Sequence, residues 1–230
     1  MLNKVLIADH QTAGRGRLDR AWTAPPGASL LVSALLRPDL ALADAFLVTA
    51  AAALAARQAC SEVAVVYPGI KWPNDLVVVA GERFGGRKLA GILAESIVTD
   101  GHLDAVVVGM GLNVNWPEVL PAELADTAVA LDHVVGHPVD REALLVAWLR
   151  HLDEWLEVLP APEGRERLRR RQREASATIG RHVRVEQSGR TFTGRALDLT
   201  AAGELVVAVD GTEEPVVVSV GDVVHLRHRD

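Results

Sequence analysis

Residues 88–95 read Lys88-Leu89-Ala90-Gly91-Ile92-Leu93-Ala94-Glu95; this apolar run continues to Thr99, turns at Asp100-Gly101-His102 and returns as Leu103–Val108. Two aliphatic runs joined by three turn residues read as neighbouring antiparallel strands, because so short a link cannot carry a crossover. On the first strand Lys88, Ala90, Ile92 and Ala94 share one face, and Leu89, Gly91, Leu93 and Glu95 the other. The return strand ends in Gly109-Met110-Gly111-Leu112-Asn113-Val114-Asn115. Paired glycines at a sheet mouth admit a ligand or a second backbone, and a tight bend uses the same residues.

Outward from this hairpin the same texture continues. Lys4–Ala8 and Ser29–Leu36 read as strands, the second apolar enough to be covered on both faces. Pro38-Asp39 is expected to end that strand and cap a helix over Ala41–Cys60. Val63–Tyr67 and Leu76–Ala80 are expected strands, with the glycine-bearing turn Gly81–Gly86 before Lys88. Beyond Pro117 helical spacing takes over at Ala122–Val135 and Arg141–Leu159. In the second, Leu144, Leu145, Trp148, Leu152, Trp155, Leu156 and Leu159 fall on one face. Pro160-Ala161-Pro162 separates a basic helix, Glu163–Ala175, whose interspersed glutamates mark it as a solvated connector. From Gly180 the pattern is all-β: Val183–Glu186, Thr191–Leu199, Leu205–Val209, Val216–Val220 and Val223–Leu226, with turns at Ser188-Gly189, Ala202-Gly203 and Asp210-Gly211. Five short strands in about fifty residues suggest a small SH3-like β-barrel. The expected fold is therefore α+β. A mixed, mainly antiparallel sheet with flanking helices occupies residues 1–175, and the small barrel occupies residues 176–230.

Composition narrows the function. The chain has 230 residues, a net charge of −6 and 49% hydrophobic residues. It is long enough for a sizeable core and too acidic for a general nucleic-acid binder. One cysteine, Cys60, excludes an internal disulfide and a cysteine metal cluster, and fits a reducing compartment. In the stretch Ala41–Cys60 the uncharged part between Asp44 and Arg57 is shorter than a membrane span, so a soluble, cytoplasmic protein without membrane contacts is expected. Only Lys4, Lys71 and Lys88 are lysines, against 21 arginines, which singles out Lys71 and Lys88 as positions that use a compact ammonium.

Chemistry concentrates in two further segments. Gln11-Thr12-Ala13-Gly14-Arg15-Gly16-Arg17-Leu18-Asp19-Arg20-Ala21-Trp22 follows the first strand directly. Its glycines allow close backbone approach, its arginine forks suit carboxylate or phosphate oxygens, and Trp22 suits stacking on a flat ring. It lacks the Gly-Lys-Ser/Thr ending of a Walker A loop. A solvated basic turn would share the composition. Ile70-Lys71-Trp72-Pro73-Asn74-Asp75 is a proline-stiffened segment in which Lys71 suits a phosphate and Asp75 suits Mg²⁺. A Pro-Asn-Asp turn with an exposed salt bridge is the plainer alternative.

Taken in order, the Gln-x-x-Gly-Arg-Gly-Arg-x-x-Arg-x-Trp loop, Lys-Trp-Pro-Asn-Asp, Arg-Lys-Leu-Ala-Gly-Ile-Leu and Gly-x-Gly-x-Asn resemble a biotin–protein ligase along nearly the whole chain. The resemblance implies a fold related to class II aminoacyl-tRNA synthetases and lipoate ligases. It also implies a two-step reaction. Biotin and MgATP form biotinyl-5′-adenylate with loss of pyrophosphate; a lysine of the biotin carboxyl carrier protein domain of acetyl-CoA or a related acyl-CoA carboxylase then attacks the anhydride. By position, biotin is implied at Gln11, Gly14, Arg15, Gly16, Arg17, Lys88, Gly91, Leu93, Gly109 and Gly111. ATP is implied at Arg17, Arg20, Trp22, Lys71, Asn74 and Asn113. Arg17, Lys88 and Asp75 are the implied catalytic set, with Asp75 as the metal ligand. The family also has a Ser-Thr-Asn segment and a helix upstream of the first strand, and some relatives carry a DNA-binding domain. Neither is found here, so weak biotin binding and no repressor role are expected. The rival readings are a lipoate or octanoate ligase and a non-catalytic binding remnant, and the quaternary expectation is a monomer or weak homodimer.

Overall fold

A computed structural model describes residues 2–17, 20–120, 122–187, 189–219 and 221–226. Leu18 and Asp19 of the arginine loop, Ser188 of an expected turn and Val220 at an expected strand end lie outside the described residues.

The first sheet has six strands: β1 (Leu2–Ala8), β2 (Ser29–Leu36), β3 (Gly69–Lys71), β4 (Asp75–Val77), β5 (Lys88–Thr99) and β6 (His102–Asn113). Their order is β1-β2-β6-β5-β4-β3, and every ladder is antiparallel. The expected β5–β6 hairpin is its longest pairing, running from Ala90↔Leu112 to Thr99↔His102. Asp100 and Gly101 both take positive φ, so the tight turn rests on residue types that tolerate it.

One face of this sheet is sealed by α1 (Phe46–Ala64), which packs against α4 (Arg141–Val158). Between them in sequence lie two short helices, α2 (Ala122–Ala125) and α3 (Leu131–Val135). Alanines at 50–53, 55, 56 and 59 are buried, which lets α1 lie close to both layers. The stretch Leu42–Ala64 is, by length and composition, apolar enough to cross a membrane, longer than the sequence reading allowed. Its burial between the sheet and α4 marks it as a core helix. Cys60 is fully buried there, and burial pushes its thiol up to about 12, so it acts as a small hydrophobe. Asp140 caps α4 by accepting from the Glu142 and Ala143 amides at 2.8 and 3.1 Å. The expected apolar face of α4 is buried, Leu145 only partly so.

Several boundaries differ from expectation. No side chain caps α1, which begins at Phe46 rather than after Asp39. Its last turn absorbs Val63 and Ala64, so the expected strand Val63–Tyr67 does not form; Val65 ends the helix in the left-handed region at φ 54°. Helix packing has overridden local β preference. The expected single helix over Ala122–Val135 breaks into α2 and α3, because Thr127–Val129 runs beside the start of β5. There the Lys88 amide donates to Thr127 O and the Val129 amide to Lys88 O, at 2.8 and 3.0 Å.

The basic helix α5 (Pro162–Glu174) docks on its own fold. Arg169 donates to Ala201 O and Arg173 to Asp198 and Leu199 O, while Arg167 lies over the Trp155 ring. The segment after it covers the free edge of β3: the Ile70 amide donates to Ala175 O and the Ala177 amide to Ile70 O, each at 2.8 Å.

The second sheet contains β7 (His182–Gln187), β8 (Arg190–Leu199), β9 (Leu205–Val209), β10 (Val216–Val218) and β11 (Asp222–His225), in the order β10-β9-β8-β7-β11. No ladder joins β10 to β11 among the described residues, so these strands form a five-stranded antiparallel sheet with no closed barrel detected among them. Its core of Val183, Val185, Ala196, Leu199, Leu205, Val207, Val218 and Val223 contains one residue from the first sheet's loops, Trp72.

Candidate active site

A cleft of about 360 Å³ opens between the uncovered face of the six-stranded sheet, the arginine loop and the second sheet. Of the residues singled out in the sequence, Gln11, Arg15, Gly16, Arg17, Arg20, Trp22, Lys71, Asn74, Asp75, Lys88, Gly91, Leu93, Gly109 and Gly111 all line it. Gly14 and Asn113 do not.

The floor is made by glycines in register. Gly91 pairs with Gly111 across β5 and β6, and Leu93 with Gly109. A Cβ on Gly111 would stand 2.4–2.6 Å from the Trp22 indole, and one on Gly91 would stand 2.9 Å from it. The ring therefore lies directly on the backbone, which only glycine permits. Among the described residues the Trp22 indole nitrogen is buried without a hydrogen-bond partner.

The arginine loop closes on itself as a small hairpin. The Trp22 amide donates to Gly14 O at 2.9 Å, the Gly16 amide to Arg20 O at 2.7 Å, and Arg15 bridges Ala21. Gly14 sits beneath this hairpin, where a Cβ would meet Trp22 O at 2.4 Å, so its role is to close the loop.

Lys88, at the start of β5, places its ammonium 2.7 Å from Asp75 Oδ1 and 5.2 Å from the centre of the Trp22 ring. Burial lowers the pKa of Lys71 and of Arg17, against the opposing pull of Asp75 and Asp222. Both cations are thus held partly desolvated, a state that an incoming anion relieves. Asn74 donates its side-chain amide to Ile92 O at 2.6 Å while its own carbonyl accepts from the Ile92 amide, which ties the proline loop to β5. Asn113 is buried behind the cleft; it donates to Lys88 O and Val129 O at 3.3 and 3.0 Å, and among the described residues its Oδ1 has no partner.

The second sheet contributes residues that the local sequence did not single out. Glu186, Asp222, Val223 and Val224 line the cleft, and Arg20 is ion-paired with Asp222. Trp72 couples the proline loop to the same sheet. Its indole donates to Gly203 O at 2.9 Å, and its amide donates to Thr178 Oγ1 at 3.0 Å. Thr178 Oγ1 also lies 3.0 Å from His225 Nε2, which joins the proline loop to β11 through one hydroxyl.

Burial, with Lys71 and Arg181 nearby, lowers the His225 pKa to about 4 from 6.5. The unfolded chain therefore binds this proton first as pH falls. The contribution is whole above about pH 6.5 and is lost progressively down to pH 4. Allowing for partial exposure, about 2 kcal/mol of stability is expected to disappear across that window. Thermal unfolding at pH 7 and pH 4.5 measures the loss, and His225→Gln is expected to shrink it.

The chemistry on offer is anion handling. Guanidinium and ammonium groups converge on a glycine floor across which the Trp22 indole lies, and among the described residues no Ser or Cys lines the cleft apart from Ser33 on β2.

Three comparisons bear on this geometry. Residues 3–113 match the model of the biotin/lipoate A/B protein ligase family, and residues 178–226 match the biotin protein ligase C-terminal domain. The chain is 39% identical over 233 residues to the biotin–[acetyl-CoA-carboxylase] ligase of Mycobacterium tuberculosis, covering 97% of this chain and 79% of that protein. It is 31% identical over 208 residues to the bifunctional ligase/repressor BirA of Bacillus subtilis, covering 88% of this chain and 61% of that protein. The chain thus spans about 61% of the length of the first curated relatives that it matches. Among solved structures, the biotin protein ligase of Aquifex aeolicus in complex with biotin and ATP superposes with a TM-score of 0.80 at 26% identity. That match covers 99% of this chain and 90% of the Aquifex one.

Proposed function

The chain belongs to the biotin protein ligase family, and from that premise we propose that it activates biotin with MgATP and passes it to a carrier lysine. The observation that carries this reading is the convergence of Arg17, Arg20, Lys71 and Lys88 on one cleft floored by Gly91, Gly109 and Gly111. In the first step a biotin carboxylate oxygen attacks the α-phosphorus of ATP and pyrophosphate leaves. Two anions must meet, so the residues' task is to neutralise both and hold them in line. Lys88 bridges carboxylate and α-phosphate, Arg15 and Arg17 flank them, and Arg20 and Lys71 take the outer phosphates. In the second step a lysine of a biotin carboxyl carrier domain of an acyl-CoA carboxylase attacks the acyl carbon and AMP leaves.

Gln11 and the glycine floor hold the biotin ring and chain, with Gly14 and Gly16 shaping the loop above and Leu93 beside. Trp22 and Asn113 serve the nucleotide: the first offers a ring face, the second an unpartnered buried acceptor suited to an amino group. Among the described residues no three acidic, histidine or cysteine side chains gather as a metal cage. Asp75, beside Lys88 and in the proline loop with Lys71, fits magnesium carried in on the nucleotide. When bound, magnesium neutralises phosphate charge. We place the catalytic unit at residues 1–175 and the C-terminal unit at residues 176–230. The location is cytoplasmic, and the chain is a monomer or a weak homodimer through the free edge of β1, where Leu6 and Ile7 are exposed.

The test is to mix the chain with biotin and MgATP and look by mass spectrometry for protein-retained biotinyl adenylate. Its formation supports the reading, and unchanged biotin and ATP contradict it. Gly111→Ala is expected to displace the Trp22 indole and weaken biotin binding about tenfold, as overpacking of a close contact does. Titration calorimetry reads this directly.

A further inference from the structure

Three cations of the cleft are already matched by carboxylates of the protein. Lys88 meets Asp75 at 2.7 Å, Arg15 meets Glu95 at 3.4 Å, and Arg20 meets Asp222. The last pair differs from the others in origin, since its carboxylate arrives from β11 on the other sheet, 202 residues away in the chain. Its two ends also differ in setting. The Asp222 side chain is 21% exposed and fixed on a paired strand, while that of Arg20 is 68% exposed on the loop. Arg17 reaches the same point, donating to Gly221 O at 3.5 Å. The loop is therefore moored to the second sheet by Arg20 on the Asp222 carboxylate and by Arg17 on the neighbouring Gly221 carbonyl.

We propose that Asp222 is a built-in counter-anion that occupies Arg20 until a ligand phosphate replaces it, and so sets the affinity for the outer phosphates. The proposal rests on the reading that Arg20 receives nucleotide phosphates. A phosphate that binds Arg20 must first separate it from Asp222, so its apparent affinity is reduced by the fraction of molecules in which the pair is intact. Removing the carboxylate charge while keeping its shape removes the competitor and leaves the guanidinium in place.

Inorganic pyrophosphate is the probe, because it needs neither biotin nor turnover. By titration calorimetry at low salt, Asp222→Asn is expected to bind pyrophosphate roughly fivefold more tightly than the unaltered chain, the ratio that about 1 kcal/mol makes. Asp222→Ser, which also removes the charge, must move in the same direction. The gain must vanish in the Arg20→Gln background, because the competitor then has nothing to block. Equal or weaker binding in both Asp222 variants would overturn the proposal. So would a gain that persists without Arg20, or no measurable pyrophosphate binding by any form. Failure of the proposed activity shows separately, as an unaltered chain that binds pyrophosphate but forms no adenylate.

Discussion

Lys88→Ala is expected to lower biotin-dependent ATP–pyrophosphate exchange by on the order of 10²–10³-fold, the usual cost of removing one preorganised group from a charge-developing transition state. The side chain sits where β5 begins, anchored by backbone hydrogen bonds to Thr127 and Val129. Its ammonium lies between Asp75 and the Trp22 ring, at the one end of the glycine floor where carboxylate and α-phosphate would meet. Attack of one anion on another gains most from a cation that touches both, so the loss should fall on kcat and not only on KM. Folding should change little, because the side chain is about a third exposed and its pairing with Asp75 is part-solvated. Lys88→Arg should not restore the rate, because a planar fork cannot take the place of a compact ammonium beneath the indole. Steady-state exchange kinetics, read beside thermal unfolding, separate these effects.

The second large effect is structural. Trp72→Ala is expected to destabilise the chain by about 3–5 kcal/mol, the range for emptying a large aromatic site in a core. Trp72 is almost fully buried among Val183, Val185, Leu205 and Val207, although it belongs to the loop that carries Lys71, Asn74 and Asp75. It is the knob by which this loop is seated in the second sheet. Its loss also removes the indole bond to Gly203 O. In a chain of this length the thermal midpoint should fall by about 10 °C. The site should loosen before the chain unfolds: exchange activity is expected to drop at temperatures where circular dichroism is still native. Trp72→Phe should recover most of the stability and little of the Gly203 anchoring.

Most of what shapes the cleft floor was legible in the sequence, for a local reason. The alternation in Lys88–Glu95, the Asp100-Gly101-His102 turn and the paired glycines each act over a few residues, and β5 and β6 follow from them directly. The arginine loop and the Lys-Trp-Pro-Asn-Asp segment stood out by local composition, and both line the cleft. What escaped depends on partners far away in the chain. Val63–Tyr67 has strand-like composition, yet α1 extends through Ala64 because its alanine face continues to pack. The interruption between α2 and α3 exists because Thr127–Val129 finds the edge of β5 about forty residues upstream. β3 is only three residues long and is secured by the segment around Ala175–Ala177, which no local pattern announces. The contribution of Asp222 and Glu186 to the cleft is of the same kind. Nothing in the β11 sequence distinguishes an aspartate facing arginines from one facing water. Asn113 was singled out for a ligand, yet it lies behind the cleft wall and spends its amide on Lys88 O and Val129 O, so any service to the nucleotide falls to its unpartnered oxygen.

The account stands on one measurement: ATP–pyrophosphate exchange by this chain, with biotin, with lipoate and with no acid added. Exchange that depends on biotin and is absent with lipoate is the predicted result, since the floor of Gly91, Gly109 and Gly111 beneath the arginine loop would then be shown to activate that acid. Exchange with lipoate instead, or no exchange with either acid by a folded chain, would contradict it.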